Sequence, residues 1–227
     1  MERIYSYGID INNFNFDLAI TEELNVKCHC YGCSLESFPP DNNFLVFHKE
    51  EIGASLGTFS RHVRDNGDEG RNVVLKIDLE GWEWDFLEAL TEQDIGSISQ
   101  IVIEFHGLLK EDRWAQYTNV IKKINRFYYL CYVQATNTST DGILFDDKIY
   151  LHNRYAATFI RKDLGSCPVN TTIQFPTSVD YPNLSGKPYI PLTGWPYRSD
   201  RKSMLSLNSI IKIMHTRSFF HSIRTVG

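Results

Sequence analysis

Val73-Val74-Leu75-Lys76-Ile77-Asp78-Leu79-Glu80-Gly81 is the stretch on which the fold turns. Its first five residues, mostly β-branched or apolar, read as a strand buried on both faces, and two acids and a glycine close it. Burial on both faces is the mark of a parallel sheet, because a sheet with one wet face alternates apolar with polar residues. Directly after it, Trp82, Phe86, Ala89 and Leu90 recur at helical spacing, which predicts a helix over 82–90 with one face on the sheet.

Working outward, Ile101-Val102-Ile103 is a second buried strand and residues 127–133 a third. Between them Trp114, Tyr117, Ile121 and Ile124 oppose Lys122, Lys123 and Asn125, as in an amphipathic helix. Strands and helices alternating at this pitch form parallel βαβ units with helices on the sheet faces. Upstream, a strand over 3–7 ends in Gly8, a helix follows over 14–24, and strands follow over 26–31 and 44–47. Downstream, 128–136 and 155–160 flank a polar stretch and form a final antiparallel pair with a long connection.

The sum is a doubly wound, mostly parallel α/β sheet of about seven strands over residues 1–162. From Ser166 onward, Pro168, Pro176, Pro182, Pro188, Pro191 and Pro196 break regular structure, so residues 163–227 form an irregular extension. Within it, 203–224 is a basic amphipathic helix that docks on the domain or, as the alternative, touches a membrane surface.

Composition narrows the partners. A chain of 227 residues, 42% hydrophobic and 22% charged, is neither disordered nor fibrous. The net charge of −5 divides into 16 Lys+Arg against 25 Asp+Glu over 1–162 and 7 against 3 over 163–227. An acidic body repels phosphate backbones, which argues against nucleic acid and for a small-molecule or glycan substrate. No apolar run reaches the roughly 18 to 20 residues of a membrane span, so a soluble chain is expected, with the secretory pathway open if an anchor precedes Met1. The crowded Cys28-His29-Cys30-Tyr31-Gly32-Cys33 lacks the second ligand pair of a zinc knuckle and reads as a strand bearing buried thiols. Asn137, Asn170 and Asn183 begin glycosylation sequons of the kind that arise by chance in Asn- and Thr-rich chains.

Ligands of an open parallel sheet bind beyond the carboxyl ends of its strands. Three ends here carry chemistry: Tyr7-Gly8-Ile9-Asp10, Asp78-Leu79-Glu80-Gly81 and Glu104-Phe105-His106. A glycine lets backbone approach a nucleotide-like ligand, and an acid paired with an imidazole can take the proton of a hydroxyl near neutral pH. Capping and solvation would equally account for Asp78 and Glu80, a structural role for His106, and the helix dipole for Glu83. Asp78, Glu80, Glu104 and His106 also form a set of oxygen and nitrogen donors for a metal-assisted reaction.

These residues resemble the FkbM-type and methyltransferase-like families over roughly 3–161. The likeness rests on Tyr5-Ser6-Tyr7-Gly8-Ile9 with Phe14 and Phe16-Asp17, on Leu75-Lys76-Ile77-Asp78-Leu79-Glu80-Gly81-Trp82-Glu83-Trp84, and on Ile103-Glu104-Phe105-His106. The resemblance implies a seven-stranded class I methyltransferase fold that binds S-adenosylmethionine and methylates an oxygen of a sugar or small metabolite. It implies that Tyr7, Gly8 and Asp10 lie along the cofactor, with Ser34 and Glu36 on the turn after the second strand. It implies that Asp78, Glu80, Glu104 and His106 surround the acceptor. Two positions depart from the pattern: Gly32 stands where the second strand ends in a ribose-binding acid, and Asp10 where a second glycine often sits. A degenerate methyltransferase fold kept as a binding or scaffolding module is the alternative.

Overall fold

The computed structural model describes residues 3–9, 14–33, 42–52, 57–138, 142–145, 149–166, 186–187 and 190. Its strands are β1 (Arg3–Tyr7), β2 (Cys28–Gly32), β3 (Leu45–Lys49), β4 (Val73–Ile77), β5 (Ile98–Phe105), β6 (Tyr128–Ala135), β7 (Gly142–Phe145), β8 (Ile149–His152) and β9 (Tyr155–Arg161). The helices are α1 (Asn15–Leu24), α2 (Thr58–Asp65), α3 (Glu83–Ala89), α4 (Glu92–Ser97) and α5 (Trp114–Phe127). Seven strands make one sheet in the order β3-β2-β1-β4-β5-β9-β6, while β7 and β8 form a separate hairpin. β9 is the reversed strand, antiparallel to both β5 and β6, and the other pairs are parallel. The architecture is therefore the doubly wound, Rossmann-like sheet with an antiparallel closing pair that the sequence predicts.

From β1 the chain moves outward to β2 and β3, then returns to lay β4 on the other side of β1 and continues to β5. The two windings diverge between β1 and β4, and at such a switch the connections leave in opposite directions and open a crevice. Each face has its own core. Ile4, Cys28, Cys30 and Val74 point toward α1, packed with Phe14 and Ile20. Tyr5, Tyr7, Tyr31, Leu75, Ile77, Ile103 and Phe105 point the other way, against α2, α3 and α5. Alternation along each strand makes this division, since neighbouring residues face opposite sides.

Strand alternation also decides the cysteine-rich segment. Cys28 and Cys30 share the α1 face with buried free thiols, whereas Cys33 is exposed beyond the strand. His29 turns to the opposite face, where Nδ1 pairs with His48 Nε2 at 3.1 Å and Nε2 lies 3.1 Å from Asp68. That face holds a polar network inside the core. Asp68 accepts from Arg3 Nε at 2.7 Å and from the Tyr5 hydroxyl at 3.0 Å, and Arg71 Nε lies 3.2 Å away. His62 joins its Nδ1 to the Tyr7 hydroxyl at 2.9 Å and its Nε2 to Glu50 at 3.2 Å.

Two features differ from the sequence reading. Helical spacing assigns Trp82 to the buried face of the third helix, yet Trp82 is 60% exposed and precedes the helix. The inward face belongs instead to Trp84, stacked on Phe105 and Tyr117, together with Phe86 and Leu87. A helix of seven residues is too short for periodicity to fix its phase, and tertiary packing sets it. The sequon at Asn137 is closed, because that side chain is 3% exposed and its amide donates to the Lys187 carbonyl at 3.3 Å. Asn170, Asn183 and the amphipathic segment 203–224 lie outside the described residues. Among the described residues no helix is long and apolar enough to cross a membrane.

Candidate active site

Asp78 follows the last residue of β4, and Glu104 is the penultimate residue of β5. Because the strands run parallel with Ile77 beside Ile103, Asp78 and Glu104 come next to each other at the carboxyl edge. Beyond Asp78 the chain turns sharply, with Glu80 at φ 50° and Gly81 at φ 112°. Left-handed backbone is costly for glutamate and collects at functional turns. The turn leaves the Glu80 side chain 71% exposed while Asp78 is 15% exposed.

His106, the first residue past β5, is held on three sides. Glu83 Oε1 accepts from its amide N–H at 2.5 Å and lies 3.3 Å from its Nδ1. Trp84 Nε1–H donates to its carbonyl at 2.8 Å. The other Glu83 oxygen accepts from the Gly81 amide at 2.8 Å. One fully buried carboxylate thus ties the turn after β4 to the end of β5. Sequence reasoning missed Glu83, since an acid in a first helical turn looks like a dipole partner and nothing local signals burial.

Nε2 of His106 is buried and makes no hydrogen bond. Around it stand Glu80 Oε2 at 3.6 Å, Asp78 Oδ1 at 3.7 Å and Glu104 Oε1 at 3.7 Å. Glu104 Oε1 is likewise buried without a hydrogen-bond partner. Arg154, 3.5 Å from Glu80, brings a positive charge to the group. Burial is the largest influence on His106 and pulls its pKa down, but the hydrogen bond to Glu83 and the charges of Glu83, Glu104 and Glu80 prevail, leaving it raised. Glu104 is also raised, first by burial and then by the Asp78 charge, against the pull of His106, Thr136 and Arg154. A carboxyl and an imidazole tuned upward side by side suit proton removal from a hydroxyl near neutral pH.

The structure brings Asp78, Glu80, Glu104 and His106 together as one cluster. The first strand contributes differently. Tyr7 is fully buried, its phenol engaged by His62 and its ring packed on Tyr31 and Phe86, so the side chain belongs to the core. Gly8 adopts φ +84°, and a Cβ there would stand 1.7 Å from the Asp78 carbonyl oxygen. Glycine is required at this point by the neighbouring strand end. A Cβ on Gly32 would meet the Ile9 carbonyl oxygen at 2.2 Å, so the loop after β1 occupies the space a ribose-binding acid would need. Asp10, Ser34 and Glu36 lie outside the described residues.

Among the described residues two groups of side chains could hold a metal: Asp78 with Glu104 and His106, and Asp17 with Cys28 and Cys30, each with donor atoms within 4.8 Å of one another. The second group is sealed in the core beside the Lys76 ammonium, which already supplies positive charge to Asp17 and Cys28. The first reaches the surface through Asp78, Glu104 and Glu80.

No family model matches this chain, and no curated protein does. Among solved structures it is similar to a candidate rRNA-methylase from Clostridium thermocellum, at 8% identity and a TM-score of 0.40, over 70% of this chain and 86% of that one.

Proposed function

We propose that the chain is an S-adenosylmethionine-dependent methyltransferase of the FkbM-like kind, acting on a hydroxyl oxygen of a sugar or small metabolite. The observation that carries this reading is the meeting of His106 with Asp78, Glu80 and Glu104 at the carboxyl edge, beside the switch point between β1 and β4. The donor set fits the cofactor, whose sulfonium and ammonium are both cationic: three carboxylates face one guanidinium there, and a buried Glu104 oxygen lacks a hydrogen-bond partner. Gly8, Asp10, Ser34 and Glu36 are assigned to holding it, together with the backbone of Tyr7. When bound, the cofactor supplies an electrophilic methyl group.

The protein's own work is alignment and proton removal. Asp78 and Glu104 orient the acceptor hydroxyl, the cluster around His106 lowers the cost of its ionisation, and exposed Glu80 passes the proton to water. Glu83 keeps the imidazole oriented by accepting from the His106 backbone and facing Nδ1.

A second reading, a methyltransferase fold kept for binding or scaffolding, is favoured by one observation, the backbone contact that keeps any acid out of position 32. Calorimetric titration with S-adenosylmethionine separates the two. The enzyme reading expects saturable heat and a raised melting temperature; no heat and no thermal protection at millimolar ligand would remove it.

A further inference from the structure

The geometry points to a divalent cation site formed by Asp78 Oδ1, Glu104 Oε1 and His106 Nε2, of the mixed oxygen and nitrogen kind that takes Mn²⁺. The three donor atoms lie within 4.8 Å of one another, and both carboxylate oxygens are 3.7 Å from Nε2. Donors bound at roughly 2.1 Å around one octahedral ion stand about 3.0 Å apart, so each carboxylate oxygen has to close toward Nε2 by about 0.7 Å.

No hydrogen bond links His106 Nε2 or Glu104 Oε1 to its neighbours. A protonated Nε2 would draw one carboxylate to about 2.8 Å. Instead Glu80, Asp78 and Glu104 all stand off at 3.6 to 3.7 Å. Nε2 is buried and unpartnered, and so is Glu104 Oε1, the two atoms aimed into one space. Two buried atoms without a hydrogen bond, aimed into one space beside further carboxylates, are what a cation would satisfy. Behind the ring, Glu83 Oε1 lies 3.3 Å from Nδ1 and accepts from the His106 amide, while Oε2 of the same carboxylate accepts from the Gly81 amide. Metal-bound histidines characteristically present their other nitrogen to such a carboxylate, which sets the tautomer and sharpens ligand basicity.

The site stands on its own, whereas its part in catalysis rests on the methyltransferase reading. There the ion binds the acceptor hydroxyl, the O–H bond breaks with its electron pair left on oxygen, and the proton goes to Glu80, the exposed acid beside the cluster.

Mn²⁺ binding to the chelator-treated full chain, followed by electron paramagnetic resonance of the free ion, tests the site without cofactor. One ion per chain is expected, weakened about tenfold or more in Asp78→Asn and Glu104→Gln and unchanged in Glu69→Gln, a distant exposed control. Binding equal in all four proteins, or none in the wild type, would overturn the site. Should a variant fail to fold, Mn²⁺ broadening of backbone amide resonances in the wild type decides: loss centred on Gly81, Glu104 and His106 supports the site, and loss centred on His29 and His48 overturns it. Titration with S-adenosylmethionine in the same preparation keeps the two readings apart, because either ligand can bind where the other fails.

Discussion

The core beneath β1 to β3 and the carboxyl edge of β4 and β5 are built from the same residue types, histidines among acids, and they come out opposite. In the core, both nitrogens of His62 and Nδ1 of His29 have a hydrogen-bond partner within 3.2 Å, His29 Nε2 lies 3.1 Å from Asp68 without a hydrogen bond, and Asp68 is surrounded by Arg3, Tyr5, His29 and Arg71. At the edge, one nitrogen of His106 is braced by Glu83 while the other faces three acids without a hydrogen bond. Burial dominates the first region and lowers His29 to about 4, with His48 and His62 also lowered; acids dominate the second and raise His106. The difference lies in charge and distance: Asp68 stands 3.1 Å from His29 with Arg3 beside it, whereas the three acids around His106 Nε2 stand off at 3.6 to 3.7 Å.

The largest effect that would test this contrast is Asp68→Ala. It leaves Arg3, Tyr5 and His29 without their shared acceptor and should destabilise the chain by about 3 to 5 kcal/mol. A denaturant melt checks this, and a loss below about 1 kcal/mol would mean that the network is not structural.

Acid comes next. Histidines whose folded pKa is depressed bind fewer protons than in the unfolded chain, so their contribution is complete above about 6.5 and lost as pH falls below it. For His29, at about 4 in the fold, that loss spans roughly pH 6.5 to 4. His106 runs the other way: its raised folded pKa gives stability present below about 6.5 and lost as pH climbs through the raised value. Melts of wild type and His106→Gln across pH 5 to 9 should therefore converge toward high pH; parallel curves would refute the raised imidazole.

Glu104→Gln separates function from stability at the edge. Removing a buried charge whose pKa is raised should leave stability at pH 7 unchanged or increase it by up to about 1 kcal/mol, while the methyl transfer proposed for the chain falls about 100-fold or more. Parallel loss of both would make the residue a structural one. The smallest effect is expected of Trp82→Ala, where 60% exposure limits the change in stability to about 0.5 kcal/mol.

Much of the fold was legible because the signals are local. β1 and β4 fall on the predicted residues, and α5 begins at the predicted Trp114. α2, α4 and the β7 to β8 hairpin were not anticipated. Thr58-Phe59-Ser60-Arg61-His62-Val63-Arg64-Asp65 buries only Phe59, His62 and Val63, too few apolar positions for a periodic signature. α4 rests on a capping box in which the Asp94 amide donates to the Thr91 hydroxyl and the Thr91 amide to the Asp94 carboxylate.

For the candidate site, the strand-end acids and His106 that meet at the carboxyl edge could be named from sequence, because a buried run ending in charged residues is conspicuous anywhere. What sequence alone determined is the alternation of buried strands with amphipathic helices, and with it a parallel sheet whose carboxyl edge carries Asp78, Glu80, Glu104 and His106. Tertiary structure decided the rest. Glu83 became a buried brace, Gly8 and Gly32 became points where backbones cross, and His106 Nε2 was left facing three acids without a hydrogen bond. The reason is physical: periodicity records which way a side chain faces, whereas burial, partners and pKa depend on atoms that arrive from distant parts of the chain.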